Sequence, residues 1–195
     1  MHSLTFTYFQ GPADDMAYLS EGDHKCDFCN CTVRCFSLDE TDVPKDGAQY
    51  GCADCLRKGR FHFWHDTEVG LLTEKSPLPR HVYKHNKSVP EGFNQAAFAT
   101  LLRTPQIVTW QQEVWLTHCN DFMAYLGTWK PVDFHLQAKD NDGRKLFLEM
   151  TDADLAHLWN EATPTGDDGP KDWYAAYYAF RCLHCGALRG NWDCP

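Results

Sequence analysis

Three cysteine pairs with the spacing Cys-x-x-Cys constrain this chain more than any other feature. Two pairs begin at Cys26 and Cys52, and the third begins at Cys182, close to the C-terminus. Two thiolates at this spacing can bind one metal ion at about 2.3 Å from each sulfur, and two such pairs complete a tetrahedron. The sequence therefore predicts a structural zinc site with four ligands: Cys26, Cys29, Cys52 and Cys55.

Disulfides and free buried thiols are the alternatives for the ten cysteines in these 195 residues. The N-terminus lacks the basic start and the long apolar stretch of a secretory signal. We therefore expect a reducing, cytoplasmic compartment, where metal binding by thiolates is favoured over disulfides. Cys31 and Cys35 lie between the first two pairs. Either could replace a neighbouring ligand, but we expect both to be bystanders.

The third pair, in Cys182-Leu183-His184-Cys185-Gly186, supplies only two ligands. Cys119 is the first candidate to complete a second site, with His118 or Cys194 as a further ligand. Adjacent side chains usually diverge, which argues against His118 and Cys119 sharing one ion. The sequence thus predicts one zinc ion and leaves a second open, at His118, Cys119, Cys182 and Cys185. The alternative is a metal-free knuckle that packs as a tight turn.

Motifs of the common enzyme classes are missing from the chain. It has no phosphate-binding glycine loop and no serine elbow. His118 and Cys119 lack a third group to orient them, so a cysteine hydrolase is not favoured. His62 and His65 lie beside the first zinc site in sequence and are either spare ligands or surface residues, of which the surface interpretation is favoured. An open metal site at the second cluster would make the protein a metal-dependent enzyme, which is the alternative to a binding protein.

Net charge indicates the kind of partner that the chain suits. Lys and Arg number 18 against 27 Asp and Glu, which gives −9 with neutral His. Such a chain binds the phosphates of nucleic acid poorly and suits a basic protein better. Solubility alone is the other explanation for this charge. A zinc-finger stress regulator is disfavoured because neither knuckle has a basic patch. No apolar run approaches the about 18 residues that would span a bilayer, so no membrane contact is expected.

The secondary-structure pattern predicts an α+β fold in a single domain covering residues 1–195. Residues 20–66 have many Cys, Asp, Gly and Asn and few periodic apolar positions, which predicts a loop-rich portion held together by zinc. Residues 88–195 are predicted to form the main α+β body. An extended arm is expected at 6–9 and an irregular connection at 62–90.

Two helices are predicted early in the main body. Ser88-Val89-Pro90-Glu91 has the residues of a helix start, and Pro105 is expected to end that helix. A second helix is predicted from Asp121, with Gly127 as its stop. A third is predicted over 151–159, where Thr151-Asp152-Ala153-Asp154 resembles a capping box. A strand at 173–181 should then lead into the C-terminal knuckle, with a short strand after it.

A hairpin is predicted around Asp140-Asn141-Asp142-Gly143, with strands at 134–139 and 144–150, because Asp-Gly tolerates the positive φ of a tight turn. Its tip and the polar loop at 163–171 should be exposed. Their acidic residues are therefore the candidates for contact with a basic partner: Asp140, Asp142, Asp167 and Asp168. Trp110, Trp115 and Cys119 are expected to lie close to the C-terminal knuckle.

Several segments resemble the CbrC family of bacterial proteins. The most specific is the run from Trp110-Gln111-Gln112-Glu113 to Cys119, and others are Phe6-Thr7-Tyr8, the early cysteine pairs and Phe180 to Gly186, followed by Trp192-Asp193. The family often has a further cysteine where this chain has Met123. The resemblance implies a cytoplasmic bacterial protein that confers tolerance to a colicin or immunity to a toxin. The hypothesis is a zinc-binding protein that neutralises a basic toxin by binding it, and not an enzyme.

Overall fold

The structure is a computed structural model that describes residues 3–39, 41, 47–84, 86–151, 157–159 and 176–193. It confirms the predicted α+β class, because small antiparallel sheets and short helices alternate along the described chain. The predicted loop at 163–171 lies outside the described residues, and so do Asp167, Asp168, Cys194 and most of the helix predicted over 151–159.

The N-terminal portion contains one small sheet as well as loops. An extended arm runs beside Tyr125, whose N–H donates to the carbonyl oxygen of Tyr8 at 2.8 Å. A 3-10 helix (Ala13–Asp15) precedes β1 (Leu19–Lys25), β2 (Thr32–Ser37) and β3 (Tyr50–Cys52), which pair antiparallel in that order, and α1 (Ala53–Arg57) follows directly. None of the β1 residues is buried, and β3 has only three residues, so these strands show little apolar periodicity in the sequence.

The connection predicted to be irregular at 62–90 contains a second antiparallel sheet over 65–80, so the prediction is wrong there, whereas the described residues of 81–90 form no helix or strand. The sheet consists of β4 (His65–Thr67), β5 (Gly70–Thr73) and β6 (Ser76–Arg80), with β6 at the edge. Proline is tolerated in an edge strand because its missing N–H is not needed there, which explains Pro77 and Pro79. The turns lack the Asn-Gly or Asp-Gly signature that would have indicated hairpins.

The first predicted helix exists, but it begins later than predicted. Helix α2 (Gln95–Leu101) starts after Asn94, whose side chain accepts from the N–H of Ala96 at 3.2 Å. Gly92 has φ 77, so the chain turns between Pro90 and the helix. Ser88 therefore does not cap this helix.

The helix predicted from Asp121 is wrong, because the segment forms strands. They are β7 (Thr117–His118), β8 (Asp121–Phe122) and β9 (Ala124–Trp129). Phe122, Met123, Ala124 and Tyr125 are all buried, so both faces of this extended backbone are covered and need apolar residues. Gly127, with φ 138, lies within β9, and a Cβ there would be 3.3 Å from Pro12 Cδ.

The predicted hairpin at 134–150 is also wrong, because both arms are helices. They are α3 (Pro131–Gln137) and α4 (Gly143–Met150). Asp142 caps α4 by accepting from the N–H of Lys145 at 3.0 Å, so Asp-Gly marks a helix start here and not a strand turn. Phe134 and Phe147 are in contact, with ring centroids 5.5 Å apart, because both face the same helix interface.

The C-terminal sheet organises the core, and its order is β11-β10-β9. Strand β10 (Ala176–Arg181) confirms the predicted strand before the knuckle in its described part, and β11 (Leu188–Asp193) follows the knuckle. Tyr178 and Phe180 face the large core that reaches the N-terminal portion, whereas Tyr177 and Ala179 face a smaller core with α3 and α4. The sheet is thus covered on both faces, and Cys182 lies directly at the end of its central strand.

Candidate metal centres

The first cluster brings together the four cysteines predicted as a zinc site. Their sulfurs all lie within 4.8 Å of one another. The Cys26 and Cys55 sulfurs are 3.8 Å apart, and those of Cys29 and Cys52 are 3.6 Å apart. A tetrahedral ion at about 2.3 Å from each sulfur places neighbouring sulfurs about 3.8 Å apart. The cluster therefore has the dimensions of a four-thiolate zinc site.

A tight turn after β1 forms the first knuckle. The N–H of Asn30 donates to the carbonyl oxygen of Cys26, and the N–H of Cys26 donates to that of Cys31, both at 2.8 Å. Asn30 has φ 62, in the left-handed region that asparagine tolerates better than most residues. Asp27 Oδ2 accepts from the N–H groups of Gln49 and Tyr50 at 2.8 and 2.9 Å, which joins this knuckle to β3. Sequence reasoning missed the role of Asp27.

Cys26, Cys52 and Cys55 are buried, whereas Cys29 is exposed. Phe61 packs against the same region, and a Cβ at Gly51 would lie 2.3 Å from Phe61 Cε1. Gly51 is therefore needed for this close approach. Burial on this scale is typical of a metal site that supports a fold rather than one that meets a substrate.

Two further cysteines adjoin the first cluster in different ways. Cys31 Sγ lies 3.1 Å from Cys29 Sγ, closer than two ligands of one tetrahedral ion. The backbone hydrogen bond at Cys31 lowers the pKa of Cys29 to about 6. Cys35 is buried, which raises its pKa to about 12, and its Sγ donates to the carbonyl oxygen of His24 at 3.4 Å.

The second cluster contains the residues named for a second ion: His118, Cys119, Cys182 and Cys185. Their ligand atoms also lie within 4.8 Å of one another. Cys119 and Cys185 have sulfurs 3.7 Å apart, and His118 Nδ1 lies 3.2 and 3.4 Å from those two sulfurs. For mixed sulfur and nitrogen ligands, a tetrahedral zinc gives an edge of about 3.5 Å.

The expectation that His118 and Cys119 diverge is wrong. Cys119 and Asn120 have φ 50 and 59, so both residues of the β7–β8 turn are in the left-handed region. Two residues of positive φ make the tightest hairpin turn, and here it turns the two adjacent side chains toward one point. The sequence signal was present but ambiguous: Cys-Asn follows His118, and asparagine favours such turns.

The C-terminal knuckle has the same hydrogen bonds as the first knuckle. The N–H of Gly186 donates to the carbonyl oxygen of Cys182 at 3.0 Å, and the N–H of Cys182 donates to that of Ala187 at 2.8 Å. Ala187 thus corresponds to Cys31 of the first knuckle. Burial would raise the pKa of Cys182, but hydrogen bonds from the backbone at Cys185 and His184 lower it to about 6.

A buried carboxylate connects the second cluster to three other parts of the fold. Asp121 Oδ1 accepts from the hydroxyl of Tyr8 at 2.6 Å. Its Oδ2 lies 2.9 Å from His184 Nε2 and accepts from Asn94 Nδ2 at 3.2 Å. Burial would raise the pKa of Asp121, but these hydrogen bonds lower it. The hydrogen bond between Asp121 and His184 also raises the pKa of His184. Nothing in the sequence indicated this network.

Glu68 forms a second such connection, from the β4–β5 turn. Its Oε2 accepts from the N–H and hydroxyl of Thr117 at 2.8 Å and from Arg189 at 2.9 Å, and its Oε1 contacts Lys87 at 2.8 Å. Burial would raise the pKa of Glu68, but the bonds from Arg189 and Lys87 outweigh it and lower this pKa to about 2. Thr117 and Arg189 lie on β7 and β11, which flank the second cluster.

Of the residues expected near the C-terminal knuckle, Cys119 contacts it, whereas Trp110 lies elsewhere. Trp110 does not approach the knuckle, because its N–H donates to Asp193 Oδ2 at 2.9 Å, at the far end of β11. Trp115 is buried against Phe180, with ring centroids 5.7 Å apart. Residues 110–115 run along the β10–β11 pair, so Trp110 and Trp115 lie at opposite ends of these two strands. His65 is not a surface residue but fully buried.

The described candidates for partner contact lie on the α3–α4 connection and not at a hairpin tip. Asp140 is exposed and forms an ion pair with Lys145 at 2.8 Å, which lowers its pKa. Asp142 is the α4 cap. Both carboxylates thus have local partners.

Among the helices that the structure describes, none has the length and apolar composition to cross a bilayer. No solved structure is similar enough to the chain to count as a match. Proteins similar to it include the UPF0167 proteins Mb2317 of Mycobacterium bovis and MT2352 of Mycobacterium tuberculosis. Each is 36% identical over an alignment of 110 residues, and the match covers 50% of this chain and 49% of the relative. The chain therefore spans about half the length of the curated relatives that it matches.

The profile of the uncharacterised protein family UPF0167 matches residues 4–194. This match includes both cysteine clusters and every sheet of the described structure. The chain belongs to the uncharacterised protein family UPF0167.

Proposed function

We propose that this protein binds two zinc ions and protects a bacterial cell, in its cytoplasm, by binding and neutralising a basic protein toxin. The observation that carries the zinc proposal is the ligand geometry of the two clusters, whose nearest sulfur–sulfur contacts of 3.6 to 3.8 Å between paired ligands match a tetrahedral ion. The donors are thiolates and one imidazole, without carboxylates. That donor set suits zinc and does not suit magnesium or calcium.

A binding role rather than turnover is supported by charge and by the cluster chemistry. Four thiolates around one dication carry a charge of about −2, and three thiolates with a neutral imidazole carry about −1, so bound zinc leaves both centres anionic. The chain itself has −9. Complementary charge speeds the capture of a basic partner. The resemblance to proteins of colicin tolerance supports a toxin as that partner.

Metal content is the first test. The protein purified from cells without added metal is analysed by native mass spectrometry and by elemental analysis. We expect two zinc ions per chain. A fully folded preparation that binds neither zinc nor another metal would contradict the zinc proposal, and iron in place of zinc would contradict the identity of the ion.

The protective role needs a separate test in cells. A candidate toxin encoded beside this gene is expressed at a fixed level while the amount of this protein is varied. Neutralisation by binding predicts that survival saturates near equal amounts of the two proteins. Protection by a small fraction of this protein, or chemical change in the toxin, would instead support an enzyme.

Solvent access to the second cluster favours a metal-dependent enzyme, which is the second candidate function. Cys119 and Cys185 of the second cluster are exposed, and His118 is half-buried, so solvent reaches this centre. A catalytic zinc keeps a position for water. The geometry holds four protein ligands close together, however, which is the arrangement of a closed site. A zinc-finger regulator has no such supporting feature.

A further inference from the structure

A cavity on the side of the molecule formed by Tyr18, β4 and the segment 106–113 is not used by either metal centre. Its volume is about 560 Å³. Its lining includes the aromatic rings of Tyr18, Trp64 and Tyr83 and the carboxylates of Asp66 and Glu113. Tyr18 and Tyr83 are 39% and 43% exposed, so they lie at the mouth, whereas Asp66 and Glu113 are only 8% and 6% exposed.

The segment Gln111-Gln112-Glu113 gives this cavity its polar groups. Gln112 Nε2 donates to Asp66 Oδ2 at 2.8 Å. Glu113 Oε2 lies 2.8 Å from His65 Nδ1, and its Oε1 accepts from the N–H of Ile107 at 2.7 Å. These residues belong to the most distinctive run of the sequence, and the metal centres do not need them. Their arrangement holds two carboxylates in place beside the cavity.

The carboxylates of Glu113 and Asp66 differ in the groups that compensate their negative charge. Glu113 has both a histidine and a backbone N–H. Asp66 has an amide donor, but no Lys or Arg forms an ion pair with it among the residues that the structure describes. A carboxylate removed from water without a cation is unfavourable, and a cation that enters beside it regains that free energy. Asp66 thus makes the cavity a site for a positive group.

We propose that this cavity binds the guanidinium group of an arginine on the basic protein partner, an inference that rests on the proposed function. Arginine suits the site because its planar cation stacks on aromatic rings and its N–H groups pair with a carboxylate. The volume lies within the range of about 300–1,000 Å³ found for ligand sites, so the neighbouring backbone of the partner also fits.

Beyond the cavity, the surface again combines acidic residues with aromatic and apolar ones. An adjacent depression of about 210 Å³ shares Val108 and is lined by Asp14, Asp15 and Trp110, together with Lys130. Val108 and Trp110 are 49% and 48% exposed. Val108 and Trp110 thus place exposed apolar surface beside the cavity that holds the buried Asp66, and an arginine of a basic protein can act as an anchor on such a surface.

The direct test uses arginine capped at both ends, N-acetyl-arginine methylamide, followed by the indole N–H signals of the protein in NMR. The signal of Trp64 is assigned with Trp64→Phe. The matched ligand is the citrulline analogue, which has the same shape and no charge. The matched protein variants are Asp66→Asn and Asp140→Asn, because both remove one carboxylate charge and only Asp66 lines the cavity.

We expect saturable shifts at Trp64 with the arginine probe in the wild type and in Asp140→Asn. Loss of a charge-assisted hydrogen bond makes binding about 10- to 100-fold weaker in Asp66→Asn, and for citrulline. If Asp66→Asn does not fold, Tyr83→Ala at the mouth replaces it, with weaker binding expected. Equal affinity of wild type and variant for the arginine probe, or of arginine and citrulline, would overturn the proposal.

A second arm separates this inference from the proposed function. Association of the toxin is measured with the wild type, Asp66→Asn and Asp140→Asn. Slower or weaker binding by Asp66→Asn alone supports both proposals. Unchanged toxin binding by Asp66→Asn overturns the arginine site and leaves the proposed function standing. If the probe binds at Trp64 but the toxin does not bind at all, the proposed function fails and the cavity is a site for free arginine-bearing molecules, which overturns the protein partner.

Discussion

The two metal centres have the same local turn but different surroundings. In both knuckles the first cysteine receives one backbone hydrogen bond and donates another across the turn. The first centre joins residues separated by 29 positions, Cys26 and Cys55, and only Cys29 among its ligands is exposed. The second joins Cys119 to Cys185 across 66 positions, and both of these are exposed.

This difference assigns the two centres different roles. Three of the four ligands of the first centre are buried in the core of the N-terminal portion, so without the ion these thiols would lose the partner that holds β1, β3 and α1 together. The second lies at the end of a sheet that already has a core on both faces. We therefore infer that the first centre determines whether the N-terminal portion folds, and that the second fastens segments that fold without it.

The largest expected effect is the loss of the first centre. Cys26→Ser removes a buried ligand, and structural zinc in small domains contributes about 10–16 kcal/mol, comparable with the about 5–15 kcal/mol total stability of a domain. We expect the N-terminal portion to lose cooperative unfolding in urea, followed by circular dichroism. Cys31→Ser is the control and should change the free energy of unfolding by less than about 1 kcal/mol. If Cys26→Ser unfolds cooperatively with the same urea midpoint as the wild type, the role assigned to the first centre is refuted.

The second centre should lose its ion without loss of the fold. Its exposed ligands let a chelator reach the metal, so EDTA should remove one zinc quickly and the other only as the protein unfolds. Cys119→Ser should bind one zinc fewer in native mass spectrometry and lack the fast phase of release. The same variant should keep a cooperative unfolding transition. Simultaneous release of both ions would show that the centres do not differ.

The charge of Glu68 tests how much its ion pairs stabilise the part of the fold around the second centre. Its pKa, lowered from 4.5 to about 2, means that the folded state favours the carboxylate. That stability is fully present above about pH 4.5 and is lost as the pH falls toward 2. The shift corresponds to about 3 kcal/mol, which Glu68→Gln should remove at pH 7.

Chemical unfolding at several pH values checks the Glu68 prediction. Because acid also protonates the zinc ligands, the measured quantity is the difference between wild type and Glu68→Gln at each pH. This difference should shrink as the pH falls from about 4.5 to 2. A difference independent of pH would mean that Glu68 acts through packing and not through its charge.

The parts of this molecule that sequence could predict are those with a chemical signature. Cysteine spacing is such a signature, and it named the four ligands of the first cluster and Cys182 and Cys185 of the second. His118 and Cys119 were candidates only, because their convergence depends on the β7–β8 turn. The strand before Cys182 was predictable for a similar reason, since its run of aromatic and apolar residues must be buried on both faces.

The errors share a physical cause. Phe122 and Tyr125 are spaced as on one face of a helix, but Phe122 pairs with Thr117 of β7 and Tyr125 pairs with Phe180 of β10, so both lie in strands. Asp142-Gly143 suits a strand turn and a helix start equally well, and tertiary packing of Phe134 and Phe147 decides for helices. Asp121 and Glu68 could not be found because their partners are distant in sequence.

The smallest expected effect concerns Asp121, which fixes the position of the second centre without binding the ion. Its contacts to Tyr8 and His184 hold the knuckle against β8. Asp121→Asn removes the charge, and loss of such an outer contact lowers metal affinity by about 10- to 100-fold. Competition between cobalt and zinc, followed by the visible absorption of cobalt, reports each centre. Asp15→Asn is the matched control, because Asp15 also accepts from a tyrosine hydroxyl, that of Tyr125 at 2.7 Å. We expect Asp121→Asn to weaken the second centre only, since the first lies in a different sheet. Equal metal affinities in the two variants would show that the β7–β8 turn alone sets the ligand positions.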